Sequence, residues 1–597
     1  MTQTWIDAGG IRLPMYCLDT LVIGSGCAGF NAADWLYDLG RRDIAILTDG
    51  KDRGTSRNAG SDKQTYYKLS FGGDTADSVP MMAADLFAGG GMHGDHALAM
   101  AACSAKCFFK LANLGVPFPV NRYGEYVGYQ TDHDRTARAT SAGPLTSKYM
   151  TEYLEKSVAN KGVRLLDNMM AVRLVVQENA LLGVIALDLT RLESDNFGLT
   201  LFCVNHVIMA TGGPSGVYHR TVYPQSQTGM TGMALEAGAG ADNLMSWQYG
   251  LASTKFRWNV SGTYQQVIPK YVSVGEDGIE REFLSAHLPL DMAFRKGYEW
   301  PCDPSKPSSQ IDLLVHREIH ERGRHVFLNF RSDPAGLDFH ALSDEAYQYL
   351  ERSGALLATP IARLEKMNPQ AVRLYLDNGI DLSRELLEID VCAQHCNGGI
   401  AVDEHWQSSV RGLYAAGEAA GTFGACRPGG SALNAAQVGS MRAAEHIVKQ
   451  SCAIPVVHKA VVYEAGQLIA QIKAMLGRKG DSPAAVKMQC QKEFSACCAH
   501  VRDPDSFDSM YQSRIAALAS YFDRCTIDAR AEIPELFYTR DILITQTAML
   551  SAMRKGASEG VMHTRLRDGE FVSGRIPVRP IPQRDIWFET VWEDCRK

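Results

Sequence analysis

The stretch that decides the fold reads Thr20-Leu21-Val22-Ile23-Gly24-Ser25-Gly26-Cys27-Ala28-Gly29-Phe30. A short apolar run ends in glycines spaced G-x-G-x-x-G, and Ala32, Ala33, Trp35, Leu36 and Leu39 follow at helical spacing. Gly24 lets the chain turn sharply off the strand. Gly26 leaves room for a pyrophosphate against the backbone, and Gly29 lets helix and strand pack closely. The unpaired N–H groups of the first helical turn, at Cys27 and Ala28, then face the phosphates at the positive end of the helix dipole. After Gly40, Ile44-Ala45-Ile46-Leu47 completes a β-α-β unit of the length a dinucleotide site requires. The acidic residue expected about twenty positions on, for the adenosine ribose, is displaced. Thr48 stands at the strand end and Asp49 one residue later, which leaves either the hydroxyl or the carboxylate to take the ribose.

The chain of 597 residues is too long for one core, so roughly two to four domains are expected. With 46% hydrophobic and 21% charged residues, its composition is that of an ordinary globular protein. A net charge of −7 and a pI near 6.2 give no reason to expect nucleic acid or an anionic membrane as partner. The opening Met1-Thr2-Gln3-Thr4-Trp5-Ile6-Asp7 lacks the basic-then-apolar pattern of a leader, and no run of about eighteen apolar residues occurs. No transmembrane segment and a cytoplasmic location are the expectation. The fifteen cysteines include no C-x-x-C pair, so neither a metal site nor an iron–sulfur cluster is expected within this chain. The closest spacings, Cys103/Cys107, Cys392/Cys396 and Cys497-Cys498, fit small buried hydrophobes in a reducing compartment.

Residues 51–62 carry Gly54, Thr55, Ser56, Asn58, Gly60 and Ser61 without hydrophobic period, and read as a loop whose N–H groups and hydroxyls reach phosphates and ring edges. Helices are expected near 79–86, 97–114 and 146–159. Between them lies a polar, aromatic stretch through Thr131-Asp132-His133-Asp134-Arg135. Strands near 163–166, 171–176 and 181–189, the last two joined at Glu178-Asn179, resemble a small inserted sheet. A later apolar strand ends in Ala210-Thr211-Gly212-Gly213, and Gly412-Leu413-Tyr414-Ala415-Ala416-Gly417-Glu418 repeats the idea. Strand-to-glycine signals so far apart imply a ligand gripped by separated segments, as a long two-headed cofactor such as FAD requires. The pattern changes over about 245–387, which reads as an inserted substrate-covering domain. After Arg442 the chain reads as mainly helical, through about 461–476, 484–500, 508–523 and 539–559, with an extended tail from Phe571.

With these pieces assembled, the chain resembles the succinate dehydrogenase/fumarate reductase flavoprotein family over about Asp19 to His563. The resemblance rests on the N-terminal unit, Ala210-Thr211-Gly212-Gly213, Asn397-Gly398-Gly399-Ile400, and Gly417-Glu418-Ala419 followed by Arg427-Pro428-Gly429-Gly430-Ser431-Ala432-Leu433. Ser558-Glu559-Gly560 with Met562-His563 resembles the family's S-R-G-A-H. It implies an α/β fold: a bipartite Rossmann-like FAD-binding domain (1–245 and 391–450), an inserted α+β capping domain (246–390) and a helical C-terminal region with an extended tail (451–597). It also implies FAD as cofactor, with Ser431, Ala432 and Leu433 beside it. The family's flavin-anchoring histidine in S-H-T has no counterpart in Arg53-Gly54-Thr55-Ser56, so noncovalent FAD is expected.

The substrate motifs depart from the family. Gly250 stands in register with the histidine of F-H-P-T, Gln394 with that of H-Y-T-M-G-G-I, and Gln310-Ile311-Asp312 with the arginine of S-R-D. The T-E-G motif has no counterpart in Gly262-Thr263-Tyr264-Gln265-Gln266. A C4 dicarboxylate needs several cationic or hydrogen-bonding groups, so succinate–fumarate interconversion is not expected. Arg427 keeps its place and can hold a carboxylate or a developing enolate oxygen. His395 can pass the proton that accompanies hydride transfer, with Tyr249 as a second candidate and Gln394 beside them. The expected function is oxidation or reduction of a small polar substrate at a C–C bond next to a carbonyl or carboxylate. The alternative is a flavoprotein component of a larger complex, serving an iron–sulfur or ferredoxin-type electron partner.

Overall fold

The computed structural model describes residues 1–72, 76–130, 136–452, 454–556 and 559–582. The polar stretch at 131–135, Ser558 and the tail beyond residue 582 lie outside the described residues.

The fold is α/β, and its centre is the strand Ile11–Ile23. Its C-terminal half pairs in parallel with Ile44–Leu47 on one side and Leu199–Met209 on the other. Leu18, Leu21, Val22, Ala45, Ile46 and Leu47 have no exposed surface, as a parallel strand covered on both faces requires. Arg164–Leu166 extends the sheet beyond Ile44–Leu47, and Leu413–Ala415 joins in parallel to Leu199–Met209. The strand pair expected as a separate inserted sheet is part of this one. Met169–Gln177 and Ala180–Asp188 form a hairpin through Glu178 and Asn179, both at positive φ, and Ala180–Asp188 then pairs antiparallel with Leu199–Met209. The reason is burial: Val184, Ile185, Ala186 and Leu187 are wholly covered, so this strand has no face to give to water. The N-terminal hairpin, Thr2–Ala8 against Ile11–Ile23, turns on Gly9-Gly10, both at positive φ. It was not among the expected strands, although Gly-Gly between two strand-forming runs is a hairpin signal.

The helix Cys27–Asp38 packs against the late helix Ser431–Lys449, and the Asn31 amide ties them through Gln437 O (3.0 Å) and Ser440 Oγ (2.7 Å). This clamp brings residues about four hundred apart in sequence onto one cofactor-facing surface. The helix Gly94–Leu114 is long and apolar enough to cross a membrane; half of its apolar stretch is buried in this same core.

Residues after Met245 build a second, antiparallel sheet in the order Trp258–Asn259, Trp247–Ser253, Leu387–Cys396, His325–Asn329, Lys270–Val274, Glu280–Glu282. Its core is aromatic, with Trp258, Tyr264, Tyr271 and Tyr375 fully buried. The strand Leu387–Cys396 runs on to Cys396, so this sheet carries Gln394 and His395 at one end. Four main helices follow, Lys459–Met475, Pro483–Cys498, Phe507–Ala519 and Ile533–Met553. The C-terminal region is not wholly helical. Val561–Arg567 and Glu570–Ile576 form a hairpin that pairs with Ala241–Asp242 of the first part of the chain. The run from Phe571 is extended because it is a sheet strand.

Candidate active site

A cleft of about 530 Å³ opens where the glycine turn, the strand ends and the second sheet meet. At one end Gly24, at φ +114°, turns the chain. Gly29 lies behind it, not in the cleft; a Cβ there would stand 1.9 Å from the Gly24 carbonyl oxygen, so its role is close packing. Gly26 begins the nucleotide helix with no side-chain cap, and Cys27 N donates to Ser56 Oγ at 3.1 Å. Thr48 Oγ1 and Ser25 Oγ lie 2.9 Å apart. The Asp49 carboxylate accepts from Tyr538 OH (2.7 Å) and sits 3.3 Å from the Arg53 guanidinium; burial nonetheless raises its pKa. Both Thr48 and Asp49 line the cleft at this end.

The segment 54–61 lies across from Ala210, Thr211 and Gly212, and Gln227 joins the two. Its amide donates to Thr211 O (2.7 Å) and accepts from Thr55 N (3.2 Å). Nothing local in the sequence marks Gln227. The expected loop also contains one helical turn, Thr55–Asn58. Gly54, Thr55, Ser56, Gly60 and Ser61 line the cleft; Asn58 does not. It is exposed, and its amide holds the loop by donating to Asp52 O and Gly54 O. Gly417, Glu418, Ala432 and Leu433 complete the wall. Ser431 stands off it, buried and donating to Pro428 O at 2.8 Å.

At the other end sit the reactive groups. The Arg427 guanidinium lies with Cζ 5.6 Å from the Trp300 ring and 5.8 Å from the Phe423 ring. Burial pushes its pKa down to about 10, so it stays cationic at neutral pH. Its Nε donates to His395 Nδ1 at 3.3 Å and its Nη1 to Pro428 O at 3.4 Å. The His395 ring also has Asn397 Oδ1 at 3.0 Å from Nδ1 and packs edge-on against Phe423. Burial, and then the Arg427 charge, hold its pKa well below the usual imidazole range. Its Nε2 lacks a hydrogen-bond partner and lies 3.8 Å from Glu418 Oε1. Glu418 accepts from Tyr223 OH and from Cys396 N (2.9 Å), and burial raises its pKa. His395 is therefore a neutral imidazole beside a fixed cation, with one nitrogen free for a ligand.

Gln394 is fastened on all sides. Its Oε1 accepts from Asn259 Nδ2 (2.7 Å) and Trp300 Nε1 (2.5 Å), and its Nε2 donates to Leu251 O (3.0 Å). Tyr249 does not reach the cleft. It is buried, bonded to Tyr218 OH at 2.8 Å, and burial pushes its pKa up to about 12, which removes it as a proton carrier. Strand alternation explains the miss: the residue beside Gly250 points to the opposite face of the sheet. Gln310-Ile311-Asp312 lies on the helix Ser309–His316 away from the cleft, with Ile311 buried and Asp312 paired with Lys296. Trp300, Asn259, Tyr298 and Tyr349 face the cleft without any signal in the sequence that set them apart.

The helix N-terminus at Gly26, where an added Cβ would meet only Ser56, and the buried hydroxyls of Thr55 and Thr211, which have no partner, fit a dinucleotide. Among the described residues no group of His, Cys, Asp and Glu is arranged to hold a metal.

Residues 19–268 match the family described as FAD binding domain. A fumarate reductase (CoM/CoB) subunit of Methanothermobacter marburgensis is 25% identical over 512 residues, covering 84% of this chain and 85% of that protein. The L-aspartate oxidase of Agrobacterium fabrum is 26% identical over 440 residues, 72% of this chain and 73% of that one. Among solved structures, Mycobacterium smegmatis Sdh1 in complex with UQ1 superposes with a TM-score of 0.75 at 17% identity, covering 96% of each chain. The quinol fumarate reductase FrdA of E. coli gives 0.72 at 18%, covering 95% of this chain and 97% of that one. The matched domain and the relatives spanning most of the chain agree that the protein is an FAD-dependent oxidoreductase, similar in sequence to fumarate reductase and L-aspartate oxidase flavoproteins, and its fold is that of the Sdh1 and FrdA chains.

Proposed function

We propose that the protein oxidises or reduces a small organic acid or carbonyl compound at the carbon next to its oxygen-bearing group, and that the substrate is not succinate or fumarate. The observation that carries this is Arg427: a cation lining the cleft whose hydrogen bonds among the described residues go to an imidazole and a carbonyl, neither of them a carboxylate. That leaves its charge for a substrate carboxylate or enolate oxygen. FAD, held noncovalently by Gly24–Ala28, the segment 54–61, the 210–212 strand end and Gly417 to Leu433, supplies two-electron exchange with carbon. The chain's own part is to orient, to exclude water and to manage a proton. Arg427 orients the anionic oxygen. With His395 Nδ1 accepting from Arg427, the proton of the neutral ring sits on Nε2, which can donate to a substrate oxygen or give a proton to the reduced carbon, and Glu418 lies 3.8 Å from that nitrogen. The positions where the family places two histidines and an arginine hold Gly250, Gln394 and the buried Ile311 region, so a second carboxylate finds few partners.

The test is an anaerobic screen of the purified holoprotein for compounds that bleach or reoxidise its flavin absorbance. Turnover of fumarate with reduced viologen at rates typical of enzymes, about ten per second, would overturn the substrate reading. A second reading, a flavoprotein component passing electrons to an iron–sulfur or ferredoxin-type partner, draws support from the Methanothermobacter relative, which by its name is one component of a larger reductase and spans most of the chain. Co-purification with a cluster-bearing protein distinguishes it.

A further inference from the structure

Two of the departures, Gly250 and Gln394, form one unit with Trp300. Gly250 has no side chain, and a Cβ there would lie 3.1 Å from Trp300 Cδ1, Trp300 Nε1 and Gln394 Nε2. The indole of Trp300 occupies the space that a larger residue at 250 would fill, and its N–H donates to Gln394 Oε1. Gln394 is in turn fixed by Asn259 and Leu251 O, so the indole is held in one orientation by three strands of the second sheet. The face it presents lies 5.6 Å from Arg427 Cζ, and Trp300 lines the cleft together with Tyr298 and Tyr349. An anionic oxygen bound by Arg427 is therefore beside an aromatic surface. The other cations lining the cleft are engaged elsewhere, Arg53 with Asp49 and Lys63 over the Tyr129 ring.

Building on the reading of Arg427 above, we propose that Trp300, seated over Gly250 and locked by Gln394, is the specificity-determining residue of this site. The ligand class it selects is a monocarboxylate whose remaining part is flat and aromatic or conjugated. The physical basis is twofold. A flat ring stacks on the indole, gaining contact area and quadrupole complementarity. With Arg427 engaged by the first carboxylate, a second one directed at the indole meets the negative face of the ring and has no further cation to pair with, so the wall rejects dicarboxylates as well as accepting aryl groups.

The experiment titrates the oxidised holoprotein with 3-phenylpropanoate, butanoate and succinate, reading each Kd from perturbation of the flavin absorbance. Expected is tighter binding of 3-phenylpropanoate than of either aliphatic acid. Trp300→Ala should lose about tenfold of that preference while leaving butanoate within about threefold. Trp300→Phe, which keeps a ring but not the N–H, should retain most of the preference, and its flavin content reports that the fold is intact. Gly250→Ala should weaken the aryl acid by displacing the indole. Equal loss for butanoate and 3-phenylpropanoate in Trp300→Ala, or no preference in the unaltered protein, overturns the proposal. An Arg427→Lys variant that binds all three acids as before overturns instead the underlying reading of Arg427, and the two failures are thereby distinct.

Discussion

Alanine at Gly26 and alanine at Gly24 are neighbouring changes of one methyl group with opposite consequences. Gly26 has ordinary extended backbone (φ −76°, ψ −178°), and its Cβ would meet only the Ser56 side chain, with Oγ at 3.0 Å. That hydroxyl, which accepts from Cys27 N, needs to shift by only a few tenths of an ångström. Alanine is a poorer helix N-cap than glycine by about 0.5–1 kcal/mol, but it removes about 0.4–1 kcal/mol of unfolded-chain entropy; the two offset. Gly24 sits at φ +114°, and its Cβ would stand 2.3 Å from the Ala210 carbonyl oxygen, backbone against backbone. Left-handed strain of roughly 1–2 kcal/mol and overpacking of roughly 1–3 kcal/mol sum to about 2–5 kcal/mol. For the cofactor the order reverses. A methyl at position 26 stands where a phosphate must approach the helix N-terminus, and loss of one or two charge-assisted hydrogen bonds at about 1.5–3 kcal/mol each weakens FAD binding by about a hundredfold. The assay strips the flavin, compares apoprotein melting by far-UV circular dichroism, and titrates FAD back by fluorescence quenching. Gly26→Ala should melt with the unaltered apoprotein yet bind FAD far more weakly, while Gly24→Ala should melt several degrees lower. Full FAD affinity in Gly26→Ala would refute the phosphate assignment, and equal destabilisation in both variants would refute the steric argument.

Acid precipitation of the holoprotein should release its flavin into the supernatant; yellow pellet would mean a covalent bond that Arg53-Gly54-Thr55-Ser56 gives no reason to expect. Arg427→Lys keeps the charge but loses the planar fork, and should retain FAD while losing about tenfold or more in turnover; unchanged turnover would make this arginine structural. Because burial and Arg427 hold the His395 pKa well below 6.5, its ionisation should not appear in the pH–rate profile near neutrality. His395→Gln should lower the rate without reshaping that profile, and an inflection near pH 7 that vanishes in the variant would show otherwise. The Asp541 carboxyl, buried and accepting from Met233 N, has its pKa pushed up to about 7 by burial. Its folded-state value lies above the unfolded one of about 3.9, so the folded protein binds the extra proton and loses stability as pH rises from about 4 to 7. Asp541→Asn keeps an acceptor for Met233 N and should raise the melting temperature above pH 7 while flattening that slope; a lowered melting temperature at pH 8 would refute the assignment.

What the sequence determined on its own was whatever a short window encodes. The β-α-β unit is legible because its constraints are local: an apolar run that must be buried on both faces, glycines where backbone meets backbone, and a helical period, all within about thirty residues. The Gly417 and Arg427 segments were legible as motifs for the same reason, and Arg427, His395 and Gln394 do line one cleft. Which neighbours a side chain meets is a different kind of information. Tyr249 was expected at the cleft, and one strand position decided that it faces Tyr218. Asp49 meets Tyr538 across 489 residues of chain, and Gln227 bridges two strand-end loops that have no pattern in common. Trp300 left no trace in any periodicity, because its place depends on an absent side chain at Gly250 and an amide at Gln394, on two other strands. Local sequence fixes backbone conformation through sterics and burial. The shape of the substrate end comes from packing between segments hundreds of residues apart, which only the assembled tertiary structure decides.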